Sequence, residues 1–253
     1  SSYATSPRDA VLCPGSRNAP LVHNLAQIGL RVYPVTDERS AVFVAIGLWL
    51  QAQQKRPVVV CITSGSALLN TLPGVAEAAL RHIPLIILSA DRPPQWIGQL
   101  DGQTLFQTGG LHPYAQTFTL PEPHNEEERW WCRRVAREAL LATQNNGGQV
   151  VHINVPISEP TFEFTTSELP EVTPLHSLSF PSFTLTEELR RQLADAQMPL
   201  LVIGQWEEDS LAPLFPADKL PSQLLIYAEC LSRYSGPTDT AAIDALLDTA
   251  WEE

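Results

Sequence analysis

The sequence predicts an α/β fold built on a doubly wound parallel sheet, followed by a partial second α/β domain. Three observations carry that prediction. Short apolar runs with strand character alternate with stretches of helical period. The runs are apolar throughout, not on alternate residues, as in strands buried on both faces. Polar clusters recur directly after them, where open α/β sheets bind ligands.

The elements follow in order. Ala10–Cys13 reads as a strand, and PGSRNAP (14–20) as a turn. A short helix then places Leu21, Leu25 and Ile28 on one face, and Arg31–Val35 is the next strand. Glu38–Gln51 is helical, with Val42, Ala45, Ile46 and Trp49 at i, i+3, i+4 and i+7. Pro57–Thr63 is a strand rich in β-branched residues. Ser66–Arg81 is helical, with Leu68, Leu72, Val75 and Ala79 in a stripe, and Pro73 should bend or delay it. Pro84–Ala90 is a buried strand. The polar segment Asp91–Pro113 has no period and is long for a loop, which marks it as functional or mobile. Ala115–Leu120 reads as a strand. Asn125–Thr143 reads as a helix with acids first and arginines later, as the macrodipole prefers. Gln149–Val155 is the closing strand.

Residues 1–162 are therefore expected to form one domain. Residues 163–182, rich in Pro, Ser, Thr and Glu, are expected to be a linker. Residues 183–253 read as the start of a second α/β domain. TLTEE opens a helix over Thr184–Gln197. Strands follow at Pro199–Gly204 and Leu224–Ala228. Two strands are thin for an independent core, so this unit is expected to be incomplete. The first strand arrives abruptly, with no helix before it, so residues are expected to be missing at the N-terminus.

Composition narrows the function classes. The 253 residues carry a formal net charge of −12, with 17% charged and 44% apolar. That is a soluble globular composition, and its acidity argues against a nucleic-acid partner. No signal-peptide pattern opens the chain, and no apolar run approaches the ~18 residues of a membrane span. Cys13, Cys61, Cys132 and Cys230 are far apart, which suits buried free thiols in a reducing cytoplasm and not a zinc site. The six histidines show neither HxxxH nor HExxH spacing. No GxGxxG, GxSxG or P-loop pattern is present.

Four polar clusters fall after strands: PGSRNAP, TDERS (36–40), TSGSA (63–67) and SADRPP (89–94). Ser16 and Arg17 stand between a glycine and a helix start, suited to an anion or to a simple cap with a solvated arginine. Glu38 is either a first-turn carboxylate favoured by the helix dipole or a partly buried acid, raised in pKa, exchanging a proton with a heterocycle. Arg92 either ends a strand beside an acid or grips a ligand. Gln103 and Gln107 lie in the long segment, where composition alone favours a solvated loop. NNGG (145–148) is a helix-end turn, not a metal site.

The ordered set PGSRNAPL, DERSA, TSGSALLNTLPGVAEA, LSADRPP and VHINVPISEP resembles the N-terminal part of the 2-succinyl-5-enolpyruvyl-6-hydroxy-3-cyclohexene-1-carboxylate synthase (MenD) family. The resemblance covers residues 8–160 well and the remainder loosely. It implies a thiamine diphosphate enzyme of three α/β domains, of which 1–162 looks like the pyrimidine-binding one and 183–253 like the start of the central one. The diphosphate-binding domain is absent with its GDG pattern, so the chain is expected to be a fragment of roughly half the family length, inactive alone. The implied reaction decarboxylates 2-oxoglutarate and adds the resulting carbanion to isochorismate. Glu38 matches the glutamate that promotes the imino tautomer of the aminopyrimidine. Thr63, Ser64 and Gly65 match a wall of the pyrimidine pocket. Ser16, Arg17, Arg92 and Gln103 match positions that bind substrate carboxylates and hydroxyls. Thiamine diphosphate and Mg²⁺ are the implied cofactors, with the metal and diphosphate held in the absent domain and no metal ligand here. A homodimer or tetramer in the cytoplasm, acting on small acids with no nucleic acid or membrane span, completes the expectation. Gly102 departs from the family, where Asn often precedes the glutamine. Two alternatives stand beside this one: a natural pyrimidine-binding subunit of a two-chain thiamine-dependent decarboxylase, and a non-catalytic module binding acidic metabolites through Arg17 and Arg92.

Overall fold

A computed structural model describes residues 6–52, 56–164, 187–197, 199–204 and 224–229. The chain divides into two units, Ser1–Leu178 and Ser179–Glu253. In the first, six parallel strands are β1 (Asp9–Leu12), β2 (Arg31–Pro34), β3 (Val58–Ile62), β4 (Leu85–Asp91), β5 (Gln116–Thr119) and β6 (Val151–Pro156). They lie in the order β2-β1-β3-β4-β6-β5. The order reverses at β1/β3 and again at β4/β6, and each reversal opens a crevice at the carboxyl ends of the strands.

Side-chain alternation along the strands splits the core into two layers. Val11, Val60, Ile62, Leu85 and Ile87 face one side, where they pack with Ala41, Val42, Ala45, Ile46 and Trp49 of α2 (Glu38–Gln51). Leu68 of α3 (Ser66–Asn70) and Val75 of α4 (Leu72–Leu80) join that layer. Ala10, Leu12, Val59, Ile86, Val151 and Ile153 face the other side. There α1 (Ala19–Gln27) contributes Leu21, Val22 and Leu25, and α5 (Glu126–Ala142) contributes Ala139 and Ala142. Each large aliphatic side chain so buried contributes about 1.5–3 kcal/mol.

The predicted elements stand within a few residues of these bounds, with four corrections. The Ser66–Arg81 helix is two helices, because the chain turns at Thr71 and Pro73 opens the second. Ile28 does not belong to the apolar face of α1; it is the C-cap and is half exposed, and Val22 takes the expected place. The last turn of α5 carries no basic residue; its dipole is met at the other end by Glu126, Glu127 and Glu128 and by the Asn125 cap. The Asp91–Pro113 segment is not wholly solvated: Leu111 enters the core and Gln107 is 1% exposed.

In the second unit, α6 (Glu187–Asp195) precedes β7 (Leu200–Ile203) and β8 (Leu225–Ala228). The two strands pair in parallel, Leu201 opposite Ile226, and bury Ile203 and Ile226 between neighbours. The helix start at Thr184 and nearly all of the expected 163–182 linker lie outside the described residues, as does Cys230. Among the described residues no helix is long and apolar enough to cross a membrane.

Candidate functional site

All four polar clusters lie at one edge of the sheet, because all six strands run the same way. At the β1/β3 crevice, Gly15 leaves β1 against Thr63 at the end of β3. A Cβ on Gly15 would meet the Thr63 side chain, with Oγ1 only 2.7 Å away, so only glycine lets the two strand ends approach. Asn18 lies beneath this contact, wholly buried, and its Nδ2 donates to the Cys13 carbonyl (2.9 Å). Thr63 Oγ1, Ser64 Oγ and Asn18 Oδ1 are buried and have no hydrogen-bond partner among the described residues. Three orphaned polar atoms in one crevice are what a ligand with its own donors and acceptors would satisfy.

Glu38 begins α2, one residue after β2 hands over to the helix cap. Asp37 makes that cap by accepting from Ser40 N (2.7 Å), which lowers its pKa. Glu38 is half-buried, and among the described residues its carboxylate makes no hydrogen bond or ion pair. It lies close to the end of β1. The Cys13 thiol is pushed up to about 12, first by burial and next by the charge of Glu38. Cys61, also buried, is likewise pushed up to about 12, and both thiols are free.

The β4/β6 crevice is built differently. Gln107 Nε2 donates to Asn154 Oδ1 (2.8 Å), Ala90 O (3.0 Å) and Ser89 Oγ (3.2 Å). Gln107 Oε1 accepts from Gly65 N (2.6 Å). Ser89 Oγ also meets His152 Nε2 (2.8 Å), and Asn154 Nδ2 donates to Asp91 Oδ2 (2.7 Å). No buried polar atom of these five side chains lacks a partner. Burial lowers the His152 pKa to about 4, so the ring is neutral. Burial raises that of Asp91, against the opposing hydrogen bond from Asn154. Through Gln107 the long segment is fastened to the TSGSA turn. Gly65 sits at φ +81°, and a Cβ there would stand 2.7 Å from the Gln103 carbonyl oxygen. Gln103 itself is exposed, in the left-handed region at φ +54°.

The two arginines meet across the sheet. Arg17 leaves β1, yet its Nη1 donates to Ile157 O (2.9 Å) beyond β6, and its Nη2 to Glu159 Oε1 (2.9 Å). Arg92 Nη1 lies 3.6 Å from the same oxygen. Arg92 Nη2 donates to Gly102 O (3.0 Å), and its Nε pairs with Asp101 Oδ2 at 3.2 Å. Ser16 is exposed at the rim. The structure thus joins Arg17 to Arg92, and Gly65 to the Gln103 backbone. Motif reading does not single out Asn18 and Glu159, and it leaves Gln107 in a solvated loop, whereas the structure buries it. The partners of Gln107 and Glu159 are distant in sequence, 142 positions away for Arg17 and Glu159, whereas Asn18 bonds to Cys13, 5 positions away. Among the described residues no group of three or more His, Cys, Asp or Glu side chains could hold a metal ion.

Residues 7–113 match the family described as "Thiamine pyrophosphate enzyme, N-terminal TPP binding domain". In structure the chain is similar to benzoylformate decarboxylase from Polynucleobacter necessarius, at TM-score 0.64 and 18% identity over 89% of this chain and 41% of that one, a likeness of fold. In sequence the chain matches the N-terminal part of 2-succinyl-5-enolpyruvyl-6-hydroxy-3-cyclohexene-1-carboxylate synthases. It is 56% identical to the synthase of Phocaeicola vulgatus over 167 residues, which are 65% of this chain and 30% of that protein. It is 54% identical to that of Bacteroides thetaiotaomicron over 164 residues, 64% of this chain and 29% of the relative. With the Desulfotalea psychrophila synthase it shares 36% identity over 249 residues, 95% of this chain and 46% of the relative. The chain therefore spans less than half the length of these curated relatives.

Proposed function

We propose that this chain is the pyrimidine-binding part of a thiamine diphosphate-dependent transferase of menaquinone biosynthesis, which joins 2-oxoglutarate to isochorismate with release of CO2. The observation that carries the reading is Glu38. It is a half-buried carboxylate at the ligand-binding edge of the sheet, with no hydrogen bond or ion pair among the described residues. Such a group is available to hold a proton at a ring nitrogen. The orphaned Thr63 Oγ1 and Ser64 Oγ suit a heteroaromatic ring edge, and with Gly65 they form the wall of its pocket. The cofactor, when bound, supplies a thiazolium carbon on which a 2-oxo acid is activated. Ser16, Arg17, Arg92 and Gln103 take the acidic and hydroxyl groups of the substrates, both of which are acids. Metal and diphosphate are assigned to a domain beyond this chain.

In this reading residues 1–162 form the pyrimidine domain, 163–182 the linker and 183–253 the beginning of the central domain. The active unit is a homo-oligomer, a dimer or tetramer, in the cytoplasm. Exposed Phe43 and Val44 on α2, Leu69 on α3 and Leu80 on α4 leave an apolar surface that supports an assembled state. The test is the Glu38→Gln variant in the complete gene product, assayed with isochorismate, 2-oxoglutarate, thiamine diphosphate and Mg²⁺. Turnover should fall about a hundredfold or more while the unfolding midpoint stays put. Unchanged turnover removes Glu38 from this role.

A further inference from the structure

Three charged groups meet where β1, β4 and β6 end, and their exposures are unequal. The Arg17 side chain is 6% exposed and that of Arg92 18%, whereas Glu159 is 74% exposed. One oxygen of Glu159 faces both guanidiniums, at 2.9 and 3.6 Å. The cations are held from other directions as well. Arg17 is fixed by the Ile157 carbonyl, and Arg92 by Gly102 O and Asp101. Arg92 Nε, though 3.2 Å from Asp101, makes no aligned hydrogen bond and is buried. The cations therefore stay in place whether or not Glu159 is present. The anion is different: it stands mostly in water, and an exposed carboxylate gains little from such a pair. With no anion between them, Arg92 would keep Asp101, but the buried Arg17 guanidinium would keep only the Ile157 carbonyl, which is costly. A fixed pair of cations sharing one loosely held carboxylate is a carboxylate site with an exchangeable occupant.

We propose that Glu159 is the internal occupant of a two-arginine carboxylate site: it bridges Arg17 and Arg92 when no acid is bound, and leaves when the carboxylate of a substrate acid replaces it. Glu159 thereby sets the affinity for the acid as a built-in competitor, without touching the reacting atoms. The inference rests on the reading above that the two arginines receive substrate carboxylates.

The experiment compares the complete gene product with its Glu159→Gln variant. KM is measured for isochorismate and for 2-oxoglutarate, and calorimetry gives the Kd of succinate, an unreactive dicarboxylate. Removing the competitor should lower KM for at least one acid, and the Kd of succinate, by about threefold, the size an exposed pair supports, with kcat nearly constant. A rise in KM would make Glu159 an orienting partner of the arginines and overturn the proposal; unchanged KM and Kd would overturn it too. Arg17→Gln and Arg92→Gln keep the two questions apart. If both raise KM while Glu159→Gln fails to lower it, only this inference falls. If neither arginine variant changes KM for either acid, the assignment of the clamp itself is wrong.

Discussion

Two crevices open on the same edge of one sheet, and they treat buried polar atoms in opposite ways. Between β4 and β6, the buried polar atoms of Ser89, Asp91, Gln107, His152 and Asn154 all have partners, in one another or in neighbouring groups such as Gly65 N, Ala90 O and Thr117 Oγ1. Between β1 and β3, Thr63 Oγ1, Ser64 Oγ and Asn18 Oδ1 are equally buried and have no partner among the described residues. An unpaired buried polar group costs about 1–3 kcal/mol, so natural structures keep few of them. The contrast separates two roles that residue type alone does not. Polar groups that close on each other position the fold; under the proposed function, polar groups left open face a ligand.

The comparison can be broken or sharpened at several points. The largest effect should come beside the open crevice. Glu38→Gln is expected to cost about two orders of magnitude in turnover, whereas Asp37→Asn, one residue earlier, should leave turnover within a few-fold. Equal losses in a side-by-side steady-state assay would mean that the turn, not the Glu38 carboxylate, matters.

The next effect belongs to the closed crevice and depends on pH. His152 has a folded pKa of about 4, below the 6.5 of the unfolded chain. The unfolded state therefore binds the proton first. The stability tied to neutral His152 is complete above about pH 6.5 and is lost as pH falls towards 4, by about 3 kcal/mol in all. Asp91, raised by burial, works in the opposite direction, so the variant isolates the histidine. In urea titrations, His152→Gln should flatten the decline between pH 6.5 and 4; an unchanged slope would assign the decline elsewhere. Asp37→Ala should cost about 1 kcal/mol through loss of the α2 cap, read as a shift in midpoint without change of slope. The smallest signal is chemical. Cys13 and Cys61, with thiols near 12, should resist iodoacetamide at pH 8 in the folded protein and label in urea, as peptide mapping by mass spectrometry would report.

The legible part of the fold was the part decided locally. Strands buried on both faces appear as unbroken apolar runs such as VVVCI and LIIL, and the caps Asp37 and Asn125 mark the starts of α2 and α5. Pro73 announced the break between α3 and α4. Clustering of Ser16, Arg17, Glu38, Thr63 and Arg92 on one edge followed from the parallel order. What escaped was decided at long range. Gln107 stands in a polar stretch, and nothing nearby says that Gly65, Ser89 and Asn154 will surround it. Glu159 reads as a linker acid until Arg17 reaches it from the far side of the chain. Ile28 was placed by period alone, but α1 ends one residue before it.

The central claim is that the two crevices differ in kind, and urea unfolding of two variants tests it most directly. Gln107→Leu leaves the Gly65 N–H without its acceptor, takes one of two donors from Asn154 Oδ1 and should cost about 3 kcal/mol. Ser64→Ala removes a buried hydroxyl that has no hydrogen-bond partner among the described residues, and should leave stability unchanged or raise it by up to about 1–3 kcal/mol. Similar losses in both variants would mean that the Ser64 hydroxyl serves the fold, and the assignment of the β1/β3 crevice to a ligand would fail.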